Sequence, residues 1–583
     1  MAENMEKESK KKKGCLIALL VPILLIVVLF LAFCICYIIE TIKDKDELKF
    51  TLLDNDTYEV AAGINNVQEE IVIPSSYEGK PVTQVGDFSR KKLNSITIPN
   101  SVTSISNGAF KDAVNLSNIT IPDSVTKIGV SAFYNTAYYN DENNWENGVL
   151  YVGNHLVAVD FDKELGYYEV KENTKTIAAA AFSDTKDTFI AHEACQSLYG
   201  INIPDSVVVI GDYAFKYCQN LKIVSIGNGV EYIGEEAFRD CKELNKVTLG
   251  TNIKYIGSNA FECYSGLQEV HINDLATWCN IEFANQKANP VYNGDTKLYF
   301  DGAVITDLVI PEGITSVKDY AFYNCYFLKT ITIPTSVQSI GRSAFYCCTG
   351  LTNIVLPEGM ETIAENAFEY CFRVKSITLP KSLKEINRFA FEDCTTLIEI
   401  VNHSTLPLAC GSSEYGKIAL NTKVIRNDTS KVDNQDGYLF YTVDDVNYLL
   451  GYVGDDSLLT LPEYYQGKTY RIYKESFEFA AMESLVIPAG VTEIETEAFH
   501  GCKNLTNVTI GKNVTSICEY AFLGCNNLEM IDFEIPYGWQ ERSYYYPGFQ
   551  WKNCIKEYFT YNHKELIRQL VRDGSSRFSL RRV

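Results

Sequence analysis

Histidine is scarce in this chain, with six in 583 residues. His155, His192, His271, His403, His500 and His563 are scattered, and no two stand at metal-ligand spacing. The stretch His192-Glu193-Ala194-Cys195-Gln196 lacks the second histidine of a zinc-protease helix. Cys410-Gly411-Ser412-Ser413 is not a nucleophile elbow, and no glycine loop is built to cradle a phosphate. Asp444-Asp445 and Asp455-Asp456 have no calcium-loop pattern behind them and read as solvated turns. These absences lead us to expect a non-catalytic protein, with no metal and no cofactor. Positive charge is also short. The formal net charge is −22, and no basic stripe interrupts the acidic chain before its last twenty residues. Such a surface repels phosphate backbones, so nucleic acid is not expected as a partner. No Leu-Pro-x-Thr-Gly wall-sorting signal stands near the C-terminus.

One uncharged apolar run is present. Cys15 to Ile39 holds 25 residues without a charge, after Lys7, Lys10, Lys11, Lys12 and Lys13. About 20 apolar residues span a bilayer core, so this run is long enough with some tilt, and Pro22 is tolerable within it. The preceding lysines place 1–14 in the cytoplasm and everything after Glu40 outside. A cleaved signal peptide needs a shorter core and a small-x-small exit, whereas this run ends in Cys36-Tyr37-Ile38-Ile39. Lipoprotein cleavage at Leu31-Ala32-Phe33-Cys34 is the other alternative, with Phe33 where a small residue is needed. The expected location is a cell membrane, crossed once. The first 39 residues carry five lysines and three acids, leaving about −24 on the remainder.

That remainder has a 23-residue period. Phenylalanine, usually after alanine, recurs at Phe110 and Phe133, at Phe215, Phe238 and Phe261, at Phe322, Phe345, Phe368 and Phe391, and at Phe499 and Phe522. Phe182 follows after an insertion, and Phe88 and Phe477 look like degenerate copies. Before each Phe runs a unit such as Leu328-Lys329-Thr330-Ile331-Thr332-Ile333-Pro334, whose alternation is that of a short strand with one buried face. Proline or glycine then ends the strand (Pro99, Pro122, Pro204, Gly227, Pro334, Pro357, Pro380, Pro488). Val337, Ile340, Phe345 and their equivalents turn inward. A lone coil cannot bury its apolar face but stacked coils share a core, so the pattern predicts a repeat solenoid. With strands about 4.8 Å apart, about 14 coils plus insertions would extend some 70–80 Å, the strand ladder lining a concave face.

The unit Ile-Pro-x-Ser-Val-x-x-Ile-Gly-x-x-Ala-Phe-x-x-Cys-x-x-Leu resembles the BspA-like class of leucine-rich repeats, over about residues 68–535. The resemblance implies an α/β-type leucine-rich-repeat solenoid with a parallel β ladder. It also implies a cell-surface location, in a class with adhesins that bind host or matrix proteins. The departure is the N-terminal membrane helix, where many relatives carry a cleavable signal.

The organisation that follows is a Lys-rich cytoplasmic tail (1–14), a transmembrane helix (15–39) and a juxtamembrane lead-in (40–67). Repeats then occupy 68–136, 169–272, 305–401 and 458–535, separated by islands at 137–168, 273–304 and 402–457, with a cap and basic tail at 536–583. The islands carry hairpin patterns, such as Gly148 to His155, or Tyr438–Tyr441 with Tyr448–Gly451. They read as structural spacers, with a binding face as the alternative. Pro74-x-x-Tyr77-x-Gly79-Lys80 and Pro462-x-x-Tyr465-x-Gly467-Lys468 share a pattern at the openings of two blocks. At the far end, 562–573 reads as an amphipathic helix stopped by Gly574, followed by a solvated tail with Arg577, Arg581 and Arg582.

Eighteen cysteines suggest a disulfide framework at first sight. Yet Cys218, Cys241, Cys325, Cys348, Cys371, Cys394, Cys502 and Cys525 all lie three residues after the repeat Phe, where other coils put Ala113, Thr136 or Tyr264. A position that accepts such substitutes is a core filler, although cysteines one coil apart could reach pairing distance. Eight Asn-x-Ser/Thr sequons (Asn55, Asn115, Asn118, Asn402, Asn427, Asn504, Asn507, Asn513) matter only in a eukaryotic host, several arising from the repeat itself. A hydroxyl recurs at the strand position expected to face solvent: Thr97, Thr120, Ser225, Thr248, Thr332, Thr378 and Thr509. These are the candidate contacts for an extracellular protein or glycan ligand, although threonine also simply suits an exposed strand.

Overall fold

The computed structural model describes residues 48–63, 68–183, 194–263, 267–535, 539–543, 552–553 and 578–582. The expected cytoplasmic tail, membrane helix and C-terminal amphipathic helix lie outside these residues. Among the described residues, no helix is long and apolar enough to cross a membrane. The chain is a leucine-rich-repeat β-solenoid whose described residues form two compact units.

Each coil carries two short strands in parallel register with the next coil. In the third block Thr330–Thr332 pairs with Asn353–Val355, so that Ile331 meets Ile354, while Ser339–Ile340 pairs with Thr362–Ile363. Proline 334 ends the first strand because it has no N–H for the ladder, and its carbonyl accepts from Val337 N–H at 3.1 Å, turning the chain toward the second strand. Ile331, Ile333, Val337, Ile340, Phe345, Cys348 and Leu351 are all buried, which accounts for the apolar positions of one complete period.

The third side of the coil is a pair of tight turns around the phenylalanine. In seven coils the residue two before the Phe has positive φ (Ser131, Tyr213, Glu236, Tyr320, Ser343, Asn366, Phe389), as does the residue two after it (Asn135, Tyr217, Asp240, Asn324, Cys347, Tyr370, Asp393). These are rarely glycines, and a left-handed non-glycine residue costs about 1 kcal/mol or more. Hydrogen bonds to the next coil offset this, as around Phe322: Tyr320 N–H to Arg342 O at 2.9 Å, Phe322 N–H to Ala344 O at 2.8 Å, and Asn324 N–H to Tyr346 O at 2.8 Å. The alternating backbone prevents a helix here. The α component expected of an α/β-type solenoid is therefore confined, among the described residues, to short pieces such as Ala137–Asn140 and Leu275–Asn280. Glycine is needed where coils nearly touch, since a Cβ on Gly341 would lie 2.6 Å from Asp319 N.

Phenylalanine rings stack along the core. Phe322, Phe345, Phe368 and Phe391 follow one another at centroid spacings of 5.3 Å. The degenerate copies Phe88 and Phe477 join their own stacks, on Phe110 and Phe499.

In the first unit, the lead-in segment forms an antiparallel pair, Leu48–Leu52 with Tyr58–Ala62, and the second of these strands starts the second-strand ladder by pairing with Lys80–Val85. The first island does not leave the solenoid. Val149–Val152 and His155–Val159 form the expected hairpin, and His155–Val159 then pairs in parallel with Thr176–Ile177 of the next coil.

In the second unit, the helix Leu275–Asn280 of the second island buries Trp278, whose Nε1 donates to Ala321 O at 2.9 Å. The third island forms its expected hairpin, Tyr438–Val443 with Val446–Tyr452, turning at Asp444-Asp445, both at positive φ. The second strand of that hairpin begins a new ladder with Tyr470–Ile472. The tail holding Arg581 and Arg582 is a strand, Phe578–Arg582, antiparallel to Ser516–Ile517 and to Trp539–Ser543, with Leu580 fully buried. The expectation of a solvated tail is thus corrected: an apolar residue between the arginines lets it close the last ladder. The two Tyr-x-Gly-Lys patterns both make tight turns, pairing Tyr77 with Lys80 and Tyr465 with Lys468.

Candidate functional site

The seven hydroxyl positions all lie in the first-strand rows, between buried apolar neighbours, with Thr120 and Thr332 exposed and the other five half-buried. They do not form a continuous hydroxyl ladder. Thr97 and Thr120 are direct register partners. Thr332 lies between Val309 and Val355, and Val355 in turn faces Thr378. Thr97 follows Val72, Thr509 lies between Val486 and Asp532, Ser225 faces Asn202, and Thr248 faces His271. Sequence reasoning passed over the valines. Val72, Val309 and Val355 are 74%, 61% and 54% exposed, so the face alternates hydroxyl with unburied β-branched hydrocarbon. Their signal was an apolar residue at the solvent-facing step of the alternation.

Beside Thr248, His271 stacks on Tyr299 at 4.6 Å, and its Nε2 lies 2.9 Å from a Glu269 carboxylate oxygen. The His271 contact, with Lys246 Nζ at 3.4 Å, holds the Glu269 carboxyl below its usual range. This patch offers an aromatic face and hydrogen-bonding groups together.

Part of the row is covered. Where Thr378 leads on to Val401, the third island packs over the strands and buries Ile398 among Tyr441, Tyr448, Leu450 and Tyr473. Glu399, at a solvent-facing step of its strand, is fully buried there. Its carboxylate accepts from Arg426 at 3.2 Å, Ser430 at 2.5 Å, the Lys431 N–H and the Tyr441 hydroxyl at 2.9 Å.

The cysteines take the filler role. Cys348, Cys371 and Cys394 are buried and free, and each thiol donates to the carbonyl of the Phe one coil earlier, at 3.2, 3.5 and 3.3 Å. Burial pushes the Cys325 and Cys394 thiols up to about 12. In the coil of Phe261, where Tyr264 was expected at this position, Cys263 makes the equivalent bond to Phe238 O at 3.2 Å. Tyr264 itself lies outside the described residues. His500 pairs with Glu478 at 2.7 Å, and that bond raises its pKa. Asp455 pairs with Lys329 at 2.7 Å, and Asp456 accepts from Tyr452.

The 23-residue unit matches the model of the BspA type leucine rich repeat region over residues 84–191, 187–292, 296–408 and 470–554. No curated protein matches the chain. Among solved structures, the chain is similar to a leucine-rich repeat protein from Bacteroides ovatus, at 20% identity, covering 83% of this chain and 93% of that one, with a TM-score of 0.27. A leucine rich cell surface protein from Faecalibacterium prausnitzii shares 21% identity over 66% of this chain and 97% of its own, with a TM-score of 0.24. The pneumococcal vaccine antigen PcpA shares 16% identity over 84% and 97%, with a TM-score of 0.22. Family matches cover well over half of the sequence, and the coils they fall on have the strand, proline turn and phenylalanine turn of the repeat; the chain belongs to the BspA type leucine-rich-repeat family.

Proposed function

We propose that this chain is a single-pass surface protein, anchored by residues 15–39, whose solenoid binds extracellular protein or glycan ligands and catalyses no reaction. The observation that carries the reading is the first-strand face, where exposed Val72, Val309 and Val355 alternate with Thr97, Thr332 and Thr378. A solvent-facing strand step is usually polar, so exposed valines recurring at that step in alternate coils give the face an apolar contact to offer beside its hydroxyls. Hydroxyls between the valines supply hydrogen bonds at every second coil, about 9.6 Å apart at the usual strand spacing. The family's general association with the cell surface and with binding supports the same reading.

The test begins with protease treatment of intact cells, followed by blotting for both ends of the chain. Loss of the C-terminal signal, with a short lysine-rich fragment kept in the membrane, is the expected result. Full-length chain that survives on intact cells but is cut after lysis would sink the surface reading. The full chain in detergent is then screened against matrix proteins and glycans, and uniformly null binding would favour an envelope spacer.

A further inference from the structure

Lys375 stands at the start of the strand Ser376–Leu379, at a step where neighbouring coils place Lys329, exposed and paired with Asp455, and Thr352. Here the third island folds over that step. Lys375 is left 3% exposed, and its ammonium donates to no partner. It lines a cavity of about 160 Å³ together with Arg373, Thr352, Gly451, Ser476 and Phe479. Arg373 donates to the Glu478 main-chain carbonyl at 2.7 Å, so one of its guanidinium nitrogens is already committed. A buried charge with no partner is costly, and proteins pair such groups or neutralise them. In this pocket the protein supplies Lys375 with no partner.

We propose that this cavity binds the carboxylate of a small monoanion with a short aliphatic tail, received by Lys375 Nζ beside Arg373. Net charge selects the class. Glu475 and Glu478 act on Lys375 from the turn of the next block, as does Lys474, and Asp455 and Asp456 stand on the cavity wall. A single negative charge answers the one unpaired ammonium, whereas a phosphate dianion would bring a second charge for which Lys375 has no counterpart, beside carboxylates of which Asp455 and Glu478 already hold Lys329 and His500. The aliphatic tail follows from the rest of the lining, where Leu439, Leu459, Phe479, Ala480 and Met482 offer hydrocarbon. Gly451, at φ +149°, keeps the space open, since a Cβ there would lie 3.8 Å from Lys375 Cε and 2.9 Å from Ser476 O. Burial first, and Arg373 second, pull the Lys375 amine down to about 7. A carboxylate binds the protonated amine, so affinity is full below that pH and falls by roughly tenfold per unit above it.

The site is independent of the strand-face reading, and either can fail without the other. The test uses the full chain in detergent, with acetate and propionate as probes at pH 6, and with chloride and inorganic phosphate as controls at matched ionic strength. The carboxylates are expected to raise Tm saturably and to protect Lys375, but not exposed Lys384, from carbamylation by cyanate, mapped by mass spectrometry. Binding should weaken at least tenfold between pH 6 and 9. Lys375→Met should lose the carboxylate response and, without ligand, melt no lower than wild type at pH 6. Equal responses to chloride or phosphate, or no protection of Lys375, would overturn the proposal without recourse to the variant. A tripeptide with a free C-terminus, set against its amidated form, separates the two sources of such a group. Binding that requires the free terminus assigns the pocket to a peptide end, and binding of acetate alone assigns it to a free carboxylic acid.

Discussion

The phenylalanine row and the first-strand row repeat with the same 23-residue step but follow different rules. Inside, Phe322, Phe345, Phe368 and Phe391 stack with interplanar angles of 17° or less, each coil adding the same ring and nearly always the same small filler. Outside, the step that carries Thr332 in one coil carries Val355 in the next and Asp532 in another. The inner row must fit its copies above and below, because packed interiors tolerate neither voids nor excess volume. The outer row is held in register by its backbone ladder, so its side chains are free to vary with whatever they meet. Stability should therefore be concentrated on the inside and recognition on the outside.

The strongest test of that division is Phe345→Ala. It opens a gap between two stacked rings and should cost about 3–5 kcal/mol, read from urea unfolding by circular dichroism. A loss below about 1 kcal/mol would mean that the coils are held by their ladders and not by the ring stack.

Glu399→Ala probes the place where the outer row behaves like the inner one. Removing the carboxylate strands the Tyr441 hydroxyl in the interior and takes a buried partner from Arg426. Breaking such a buried network costs about 3 kcal/mol. The loss should be local, so limited proteolysis should begin cutting within 402–432 well before the repeats unfold. Uniform destabilisation with no new cleavage would show that the island and the block unfold together.

The fillers come next. Cys371→Ala removes a thiol hydrogen bond and a little volume and should cost about 1 kcal/mol. In the native protein, alkylation at pH 8 should label Cys410, which is exposed, while Cys218, Cys241, Cys348 and Cys371 stay protected behind burial that raises their pKa well above normal. Rapid labelling of that buried set would break the account of the inner row.

Most of this architecture could be read from the sequence, because a period of apolar residues is a direct record of burial. The strand, the proline stop, the Phe stack and the island hairpins are all written as local patterns. Three features were not. Tyr213, Tyr320 and Ser343 take up left-handed backbone, and no residue-type rule flags them, since the compensation comes from the neighbouring coil. Lys375 and Glu399 look like solvated strand residues until the third island, tens of residues downstream in sequence, folds over them. The Phe578–Arg582 strand reads as a basic tail because five residues around a buried Leu580 are too few to give a periodicity to detect. The candidate site was half legible: the hydroxyls stood out by repetition, while the valines between them were hidden by their resemblance to core residues.

Val355→Thr gives the smallest expected effect on stability and the sharpest reading of the outer row. Val355 is 54% exposed, its strand bonds are made by backbone, and threonine has the same shape and strand preference. Unfolding free energy should move by no more than about 0.5 kcal/mol. Pairing it with Val309→Thr turns the stretch from Asp307–Val309 to Ser376–Leu379 into an unbroken hydroxyl row, which separates the two contributions to binding. If the exposed hydrocarbon makes the contact, the double variant should lose affinity for the ligand found by screening while melting at the wild-type temperature. If the hydroxyls make it, affinity should hold or rise. A fall in melting temperature equal to that of an inner-row variant would end the distinction between the rows, because these valines would then be structural after all.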